Sequence, residues 1–312
     1  MVVFDPPVFP ARSEQSLMST WTEPGPPLVS ICCPTYNHGR LLERALQGFI
    51  VQQTTFPFEI IVRDDASIDN TGDILAKYSR EFPRVFRVVR NSNNQFVETG
   101  TGGILRDFTR LATGRFVALC EGDDFWISET KLQKQLDLLE KFPGAVMSVA
   151  HTHVCQDREG FLEHLRTFSG NANILQYFDD ITKTYFHTST YVMRTHVFND
   201  VVSRHFANSS NFGDTALRFC LIERGPFVQL PEVVSVYAQT GEGIWTSLDR
   251  EKQQLWELTC AREIFWQVGG HRLFHGKRVL SLYLAILRQA VKKRLLSSEP
   301  AMRIVHALRF RR

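Results

Sequence analysis

Three polar clusters in the chain each come at the end of an apolar run. Glu121-Gly122-Asp123-Asp124 comes after Phe116–Cys120. Three carboxylates within four residues repel one another, and a hard divalent cation, Mg2+ or Mn2+, relieves that repulsion while bridging to phosphate oxygens. The plain alternative is a solvated acidic turn. Asp64-Asp65 comes after Phe58–Val62. Paired carboxylates there suit hydrogen-bond donors on a ligand, whereas Asp69 a little further on also reads as a helix cap. Pro34-Thr35-Tyr36-Asn37 comes after Leu28–Cys33. It offers an aromatic face with hydroxyl and amide groups, which suits a base or a ribose, and it equally fits an ordinary turn. It is neither a Gly-x-Gly-x-x-Gly loop nor a Gly-x-x-x-x-Gly-Lys loop, which argues against a dinucleotide oxidoreductase and a P-loop NTPase.

These clusters need strands to carry them. Short apolar runs at 28–33, 58–62, 85–89, 116–120 and 145–149 alternate with helical spacing at 41–50, about 71–79, 104–111 and 132–139. Strands alternating with helices predict an α/β fold with a largely parallel sheet covered on both faces. Ligands of such sheets bind beyond the carboxyl ends of the strands, where the three clusters lie. The later part is less regular. Strands are expected near 189–193 and 233–237, and helices near 214–223 and 253–266, the last stopped by Gly269-Gly270. Residues 1–27, punctuated by prolines, read as a flexible leader.

The 312 residues carry 36 Lys and Arg against 33 Asp and Glu, a formal charge of +3. The average hides a split, because residues 271–312 hold eleven of the bases and a single acid, Glu299. The six cysteines include no Cys-x-x-Cys pair, so reduced thiols in a cytoplasmic protein are expected. No signal-peptide pattern and no run of ~20 apolar residues is visible. His151, His153 and Cys155 follow no standard zinc spacing and read as ordinary strand-end residues.

The three segments 29–37, 60–71 and 112–126 resemble, in order and in spacing, the inverting GT-A-fold glycosyltransferases of family 2. The resemblance covers about residues 28–150. It implies a GT-A-like, Rossmann-type, mostly parallel sheet flanked by helices, followed by a helical C-terminal extension. With the Pro-rich leader (1–27) and the basic helical extension (251–312) read from the residues themselves, the chain divides into these two and a transferase domain (28–250, with a nucleotide-sugar half to 150 and an acceptor half after it). The resemblance implies that Pro34, Thr35, Tyr36, Asn37, Asp64 and Asp65 hold the nucleoside of a nucleoside-diphosphate sugar. Glu121, Asp123 and Asp124 then occupy the D-x-D region for Mn2+ or Mg2+ and the diphosphate. His187 and Thr188 line the acceptor side, and Asp214 stands where the family carries its catalytic base. Asp214 also fits a helix N-cap.

A late segment, Tyr237 to Thr246, resembles one that reads roughly Tyr-Arg-x-His-x-Gly-Gly-x-Trp-Ser in related enzymes and puts Trp245 on the acceptor side. Ala238 and Thr240 replace its Arg and His. Arg106 or Arg115 could supply a missing cation. The expected activity is metal-dependent hexosyl or related transfer to a glycan or lipid-linked acceptor in surface-polysaccharide synthesis. A catalytically inactive nucleotide or glycan binder is the rival from another class. A nucleotidyltransferase is less favoured, since no Gly-rich basic loop follows the first strand. The basic, apolar-interleaved stretch 276–312 fits a helix on an anionic membrane face at the cytoplasmic side, or one packed on the domain. It lacks the aromatic platform of a nucleic-acid binder.

Overall fold

The computed structural model describes residues 3–22, 25–158, 161–169, 174–175, 186–206, 213–241, 243, 248–250 and part of 252–259. The chain divides into two compact units, 1–240 and 241–312. The division falls ten residues before the expected start of the extension.

The first unit opens on a short helix α1 (Glu14–Met18), followed by β1 (Val29–Thr35), α2 (Leu42–Ile50), β2 (Phe58–Asp64), α3 (Thr71–Glu81) and β3 (Phe86–Arg90). α4 (Phe96–Leu111), β4 (Phe116–Leu119), β5 (Phe125–Trp126), α5 (Lys131–Lys141) and β6 (Met147–Arg158) come next. β7 (Phe161–Phe168), β8 (Ile174–Leu175), a 3-10 turn (Thr188–Thr190), β9 (Val192–Arg194), α6 (Thr195–His205), α7 (Asp214–Ile222) and β10 (Phe227–Gln239) complete it. The sheet runs β3-β2-β1-β4-β9-β6-β10-β5, with β7 on β6 and β8 on β10.

β1 to β4 form the parallel half expected from the apolar runs. β1 and β4 are buried almost throughout, which is why they read as continuous apolar segments rather than alternating ones. On α2, Leu42, Ala45, Leu46, Phe49 and Ile50 bury one stripe against the sheet. The core there includes Ile31, Ile60, Val62, Phe49 and Trp126.

The later half is mixed. β9 is antiparallel to both β4 and β6, while β10 returns parallel to β6. β10 is longer than the 233–237 expected. Its register shifts around Pro231, a residue that cannot donate to the ladder. β6 extends far past 149 because its outer half pairs with β7 as a hairpin. α6 escaped the sequence reading although Val197, Phe198, Val201 and Val202 mark a helical stripe. The segment read as a strand at 189–193 is a 3-10 turn leading into β9. α4 starts eight residues earlier than the apolar spacing indicates. Gly100, at φ 54, breaks it in two, a conformation in which a Cβ is disfavoured.

The leader, expected to be flexible, is docked. Leu17 is fully buried, Trp21 packs edge-on to Phe58, and Phe4 N–H donates to Leu162 O at 2.9 Å. The Arg12 guanidinium donates to the carbonyls of Val51 and Gln52 at 3.0 and 2.9 Å. Five apolar side chains (Phe4, Phe9, Leu17, Met18, Trp21) interleave the prolines and supply the buried area that holds it.

Cys32, Cys33, Cys120, Cys155 and Cys220 are buried free thiols. His151 pairs with Gln229 and His153 with Thr167, as ordinary strand residues do. In the second unit, Asp249 caps a helical turn through Lys252 N–H at 2.9 Å. The expected stop at Gly269-Gly270 and the basic stretch 276–312 lie outside the described residues. No helix among the described residues is long and apolar enough to cross a membrane.

Candidate active site

Parallel pairing of β2, β1 and β4 brings the three polar clusters to one edge of the sheet. Backbone bonds then tie the loops together. Asp65 N–H donates to Thr35 O, and Gly122 N–H to Pro34 O, both at 3.0 Å. A Cβ on residue 122 would stand 2.7 Å from Thr35 Oγ1 and 2.9 Å from His38 Nδ1, so only glycine lets the acid loop lie so close to β1. Asn37, at φ 53, spends its side-chain oxygen on Ile68 N–H at 2.9 Å, and Tyr36 stands 40% exposed beside it.

The acids of the second cluster are bound within the protein. Asp64 accepts from Ser67 N–H at 3.0 Å and faces Arg90 Nε at 3.2 Å. Asp65 accepts from Arg63, the Asn91 amide and the N–H groups of Gln95 and Phe96, at 3.1, 2.6, 3.1 and 2.9 Å. It therefore anchors the start of α4, a role the sequence reading missed. Asp69 serves the first turn of α3, accepting from Thr71 N–H at 3.0 Å and Gly39 N–H at 2.9 Å. Burial would raise its pKa, but the Thr71 and Gly39 bonds outweigh burial and lower it.

The acids after β4 are less well served. Glu121, Asp124 and His187 each offer one ligand atom, and these atoms lie within 4.8 Å of one another. Asp124 is buried, with Oδ1 accepting from Ala238 N–H at 3.1 Å. Its Oδ2 has no hydrogen-bond donor and lies 3.3 Å from His187 Nδ1. Burial, with Asp123 and Asp214 close by, pushes the Glu121 carboxyl up to about 8. Burial first, then Asp123 and Glu121, raise Asp124 as well. Burial lowers His187 to about 4 against the pull of Asp214 and Asp123, so its imidazole is neutral at pH 7. A neutral imidazole beside two destabilised carboxylates is a donor set that suits Mn2+ and tolerates Mg2+.

The sequence reading put Asp123 in the metal set and His187 on the acceptor side. The structure groups His187 with Glu121 and Asp124, while Asp123 turns to His38 Nε2 at 3.9 Å. The spacing of residues 187 and 124 could not reveal this. It depends on the 3-10 turn passing over β4, with His187 stacked on Tyr237 at 4.2 Å. Behind His187 runs a buried hydroxyl chain, Ser189 to Ser235 to Thr152, with links of 3.0 Å.

Asp214 is the first residue of α7, with Gly213 in the capping position. Its Oδ1 accepts from Thr215 N–H at 2.7 Å, and its Oδ2 from the Thr188 hydroxyl at 3.3 Å. One oxygen thus serves the helix start, and the other faces the cluster that Glu121 and His187 share. The Arg106 guanidinium donates to Phe206 O. Arg115 precedes β4, at the opposite end of the strand from Glu121, and its carbonyl accepts from Thr195 N–H. Trp245 lies outside the described residues.

A family model described as "Glycosyl transferase family 2" matches residues 30–202. The chain belongs to that family. An uncharacterized protein of Mycobacterium tuberculosis is 29% identical over 229 residues, 73% of this chain and 64% of its own length. The chain thus spans less than two thirds of this curated relative. A putative teichuronic acid biosynthesis glycosyltransferase of Bacillus subtilis, TuaG, is 30% identical over 140 residues, 45% of this chain and 51% of its own. Among solved structures, TarS of S. aureus in complex with UDP-GlcNAc matches with a TM-score of 0.61 at 17% identity, covering 82% of this chain and 71% of that one. At that identity the likeness carries the fold, which is the GT-A-type arrangement expected from the three motifs.

Proposed function

We propose that the chain is an inverting, divalent-cation-dependent glycosyltransferase that moves a hexosyl or related residue from a nucleoside-diphosphate sugar to an acceptor hydroxyl. The observation that carries this reading is the group of Glu121, Asp124 and His187, whose ligand atoms lie within 4.8 Å of one another at the carboxyl edge of the parallel strands. Glu121, Asp124 and His187 would hold Mn2+ or Mg2+, and a cation bound there supplies charge against the departing diphosphate. Tyr36, Thr35 and the Asp64–Asp65 loop bound the place for the nucleoside. Asp214, steadied by the Thr188 hydroxyl, takes the proton of the acceptor hydroxyl as that oxygen attacks the anomeric carbon and the diphosphate leaves. The TuaG and TarS likenesses favour glycan assembly as the setting and a UDP-sugar among the donors.

A panel of nucleotide sugars, with and without Mn2+, tests the reading, with Asp214→Asn beside the parent. The expected result is Mn2+-dependent transfer by the parent and a loss of about 10²- to 10⁴-fold in turnover for Asp214→Asn, with donor binding retained. Nucleotide binding without transfer on any donor would favour an inactive binder, the reading that Ala238 and Thr240 motivate. We further propose peripheral contact of 276–312 with an anionic membrane at the cytoplasmic face, where a glycan or lipid-linked acceptor would be met. Sedimentation with anionic vesicles should be lost in a chain ending near Gly270, and equal sedimentation of both chains would remove the idea.

A further inference from the structure

The turn between β1 and α2 leads into two arginines that meet a single carboxylate. Arg40 Nη1 donates to Asp157 Oδ1 at 2.7 Å, and Arg44 Nη1 to Asp157 Oδ2 at 2.9 Å. The Asp157 side chain is fully buried, whereas that of Arg40 is 43% exposed. The exposed guanidinium of this cluster is that of Arg40.

Its location is defined from two sides. Arg40 lies two residues beyond His38, which itself stands 3.9 Å from Asp123, and two residues of chain span at most ~7 Å. Arg44 lies over the ring of Phe125, 5.9 Å from its centroid, and Phe125 packs in one small apolar cluster with Ala238. Asp157 directly follows Gln156, the partner of Gln239. The arginine pair therefore stands at the end of β10, where Ala238 brings no charge, and beside the acid loop that follows β4. Arg115 stands at the opposite end of β4. A buried carboxylate holds Nη1 of Arg40, whose side chain is 43% exposed, and an exposed guanidinium can grip phosphate bidentately.

We propose that Arg40, held by Asp157 and backed by Arg44, binds a phosphate of the donor's diphosphate, so that the β1–α2 turn supplies the cationic side of the phosphate site. This deepens the nucleotide-sugar reading and rests on it.

Calorimetry with UDP and GDP, in the presence of Mn2+, on the parent, Arg40→Ala and Arg40→Lys tests the assignment. Uridine competing against UDP measures the nucleoside alone. Arg44 still pairs with Asp157 in both variants, so the fold should be retained at some cost in melting temperature, which thermal unfolding of each variant measures. Arg40→Ala should weaken the diphosphate about 10- to 100-fold while leaving uridine unchanged, and Arg40→Lys should recover part of the loss. Unchanged diphosphate affinity in Arg40→Ala, or an equal loss for uridine, would overturn the clamp and leave the nucleotide-sugar reading intact. A parent that binds neither diphosphate would overturn both.

Discussion

Asp64 and Asp65 at the end of β2, and Glu121 and Asp124 after β4, are acids of the same kind at neighbouring strand ends, yet their surroundings are opposite. The first pair is met by Ser67, Arg90, Arg63, Asn91 and the opening N–H groups of α4. The second has Ala238 N–H for one oxygen of Asp124, no donor for the other, and a Glu121 carboxyl pushed up to about 8. A buried carboxylate left short of donors costs free energy unless something else supplies the compensation. Asp64 Oδ2 and Asp124 Oδ2 both lack a hydrogen bond, but the first has a guanidinium 3.2 Å away and the second only the neutral His187 imidazole at 3.3 Å, so the second pair is where a cation belongs.

Substitution in the second pair should give the largest effect. Asp124→Asn should lower turnover on the order of 10³-fold by removing a charge needed only against the departing diphosphate. In the apo protein at pH 8 the same change should not lower stability, since it relieves repulsion with Glu121 and Asp123. A urea-unfolding loss above ~1 kcal/mol would place Asp124 among the structural acids and dissolve the contrast.

The first pair should respond in stability instead. Arg63→Met removes the partner of Asp65 at 3.1 Å and of Asp107 at 2.7 Å, leaving Asp65 buried. About 3 kcal/mol of stability should be lost. An unfolding midpoint that stays put, with nucleotide affinity gone, would show that this pair also serves the ligand.

A smaller effect is expected at Lys131, a buried charge behind the site. Its Nζ lies 4.0 Å from the centroid of the Trp126 ring and has no hydrogen-bond acceptor. Burial lowers its pKa to about 7 from the usual 10.5. Between those values the unfolded chain holds a proton that the native state lacks, so this residue makes stability rise with pH from 7 to 10.5. Lys131→Met should therefore stabilise by about 2 kcal/mol at pH 6, with the gain shrinking toward pH 10. A pH-independent difference in thermal unfolding would remove burial of the charge as its cause.

Much of this was readable before any tertiary structure. The apolar runs at 28–33, 58–62 and 116–120 specify buried parallel strands, because a strand covered on both faces has no polar side to interrupt it. The polar clusters that follow those runs consequently share one edge. The later half was harder to read. Pro231 breaks the register of β10, the outer half of β6 exists only because β7 pairs with it, and Gly100 splits α4.

The amino-acid sequence by itself determined the parallel half, the order of its three motifs and the family to which they belong, since each depends on residues close together in the chain. Only the tertiary structure decided which acids are satisfied and which are not. Asp65 finds its donors some thirty residues away at the start of α4, and Asp124 meets His187 and Ala238 across the sheet. Carboxylate chemistry is set by the donors and charges within a few ångströms, and those neighbours are assembled by strand pairing rather than by spacing along the chain.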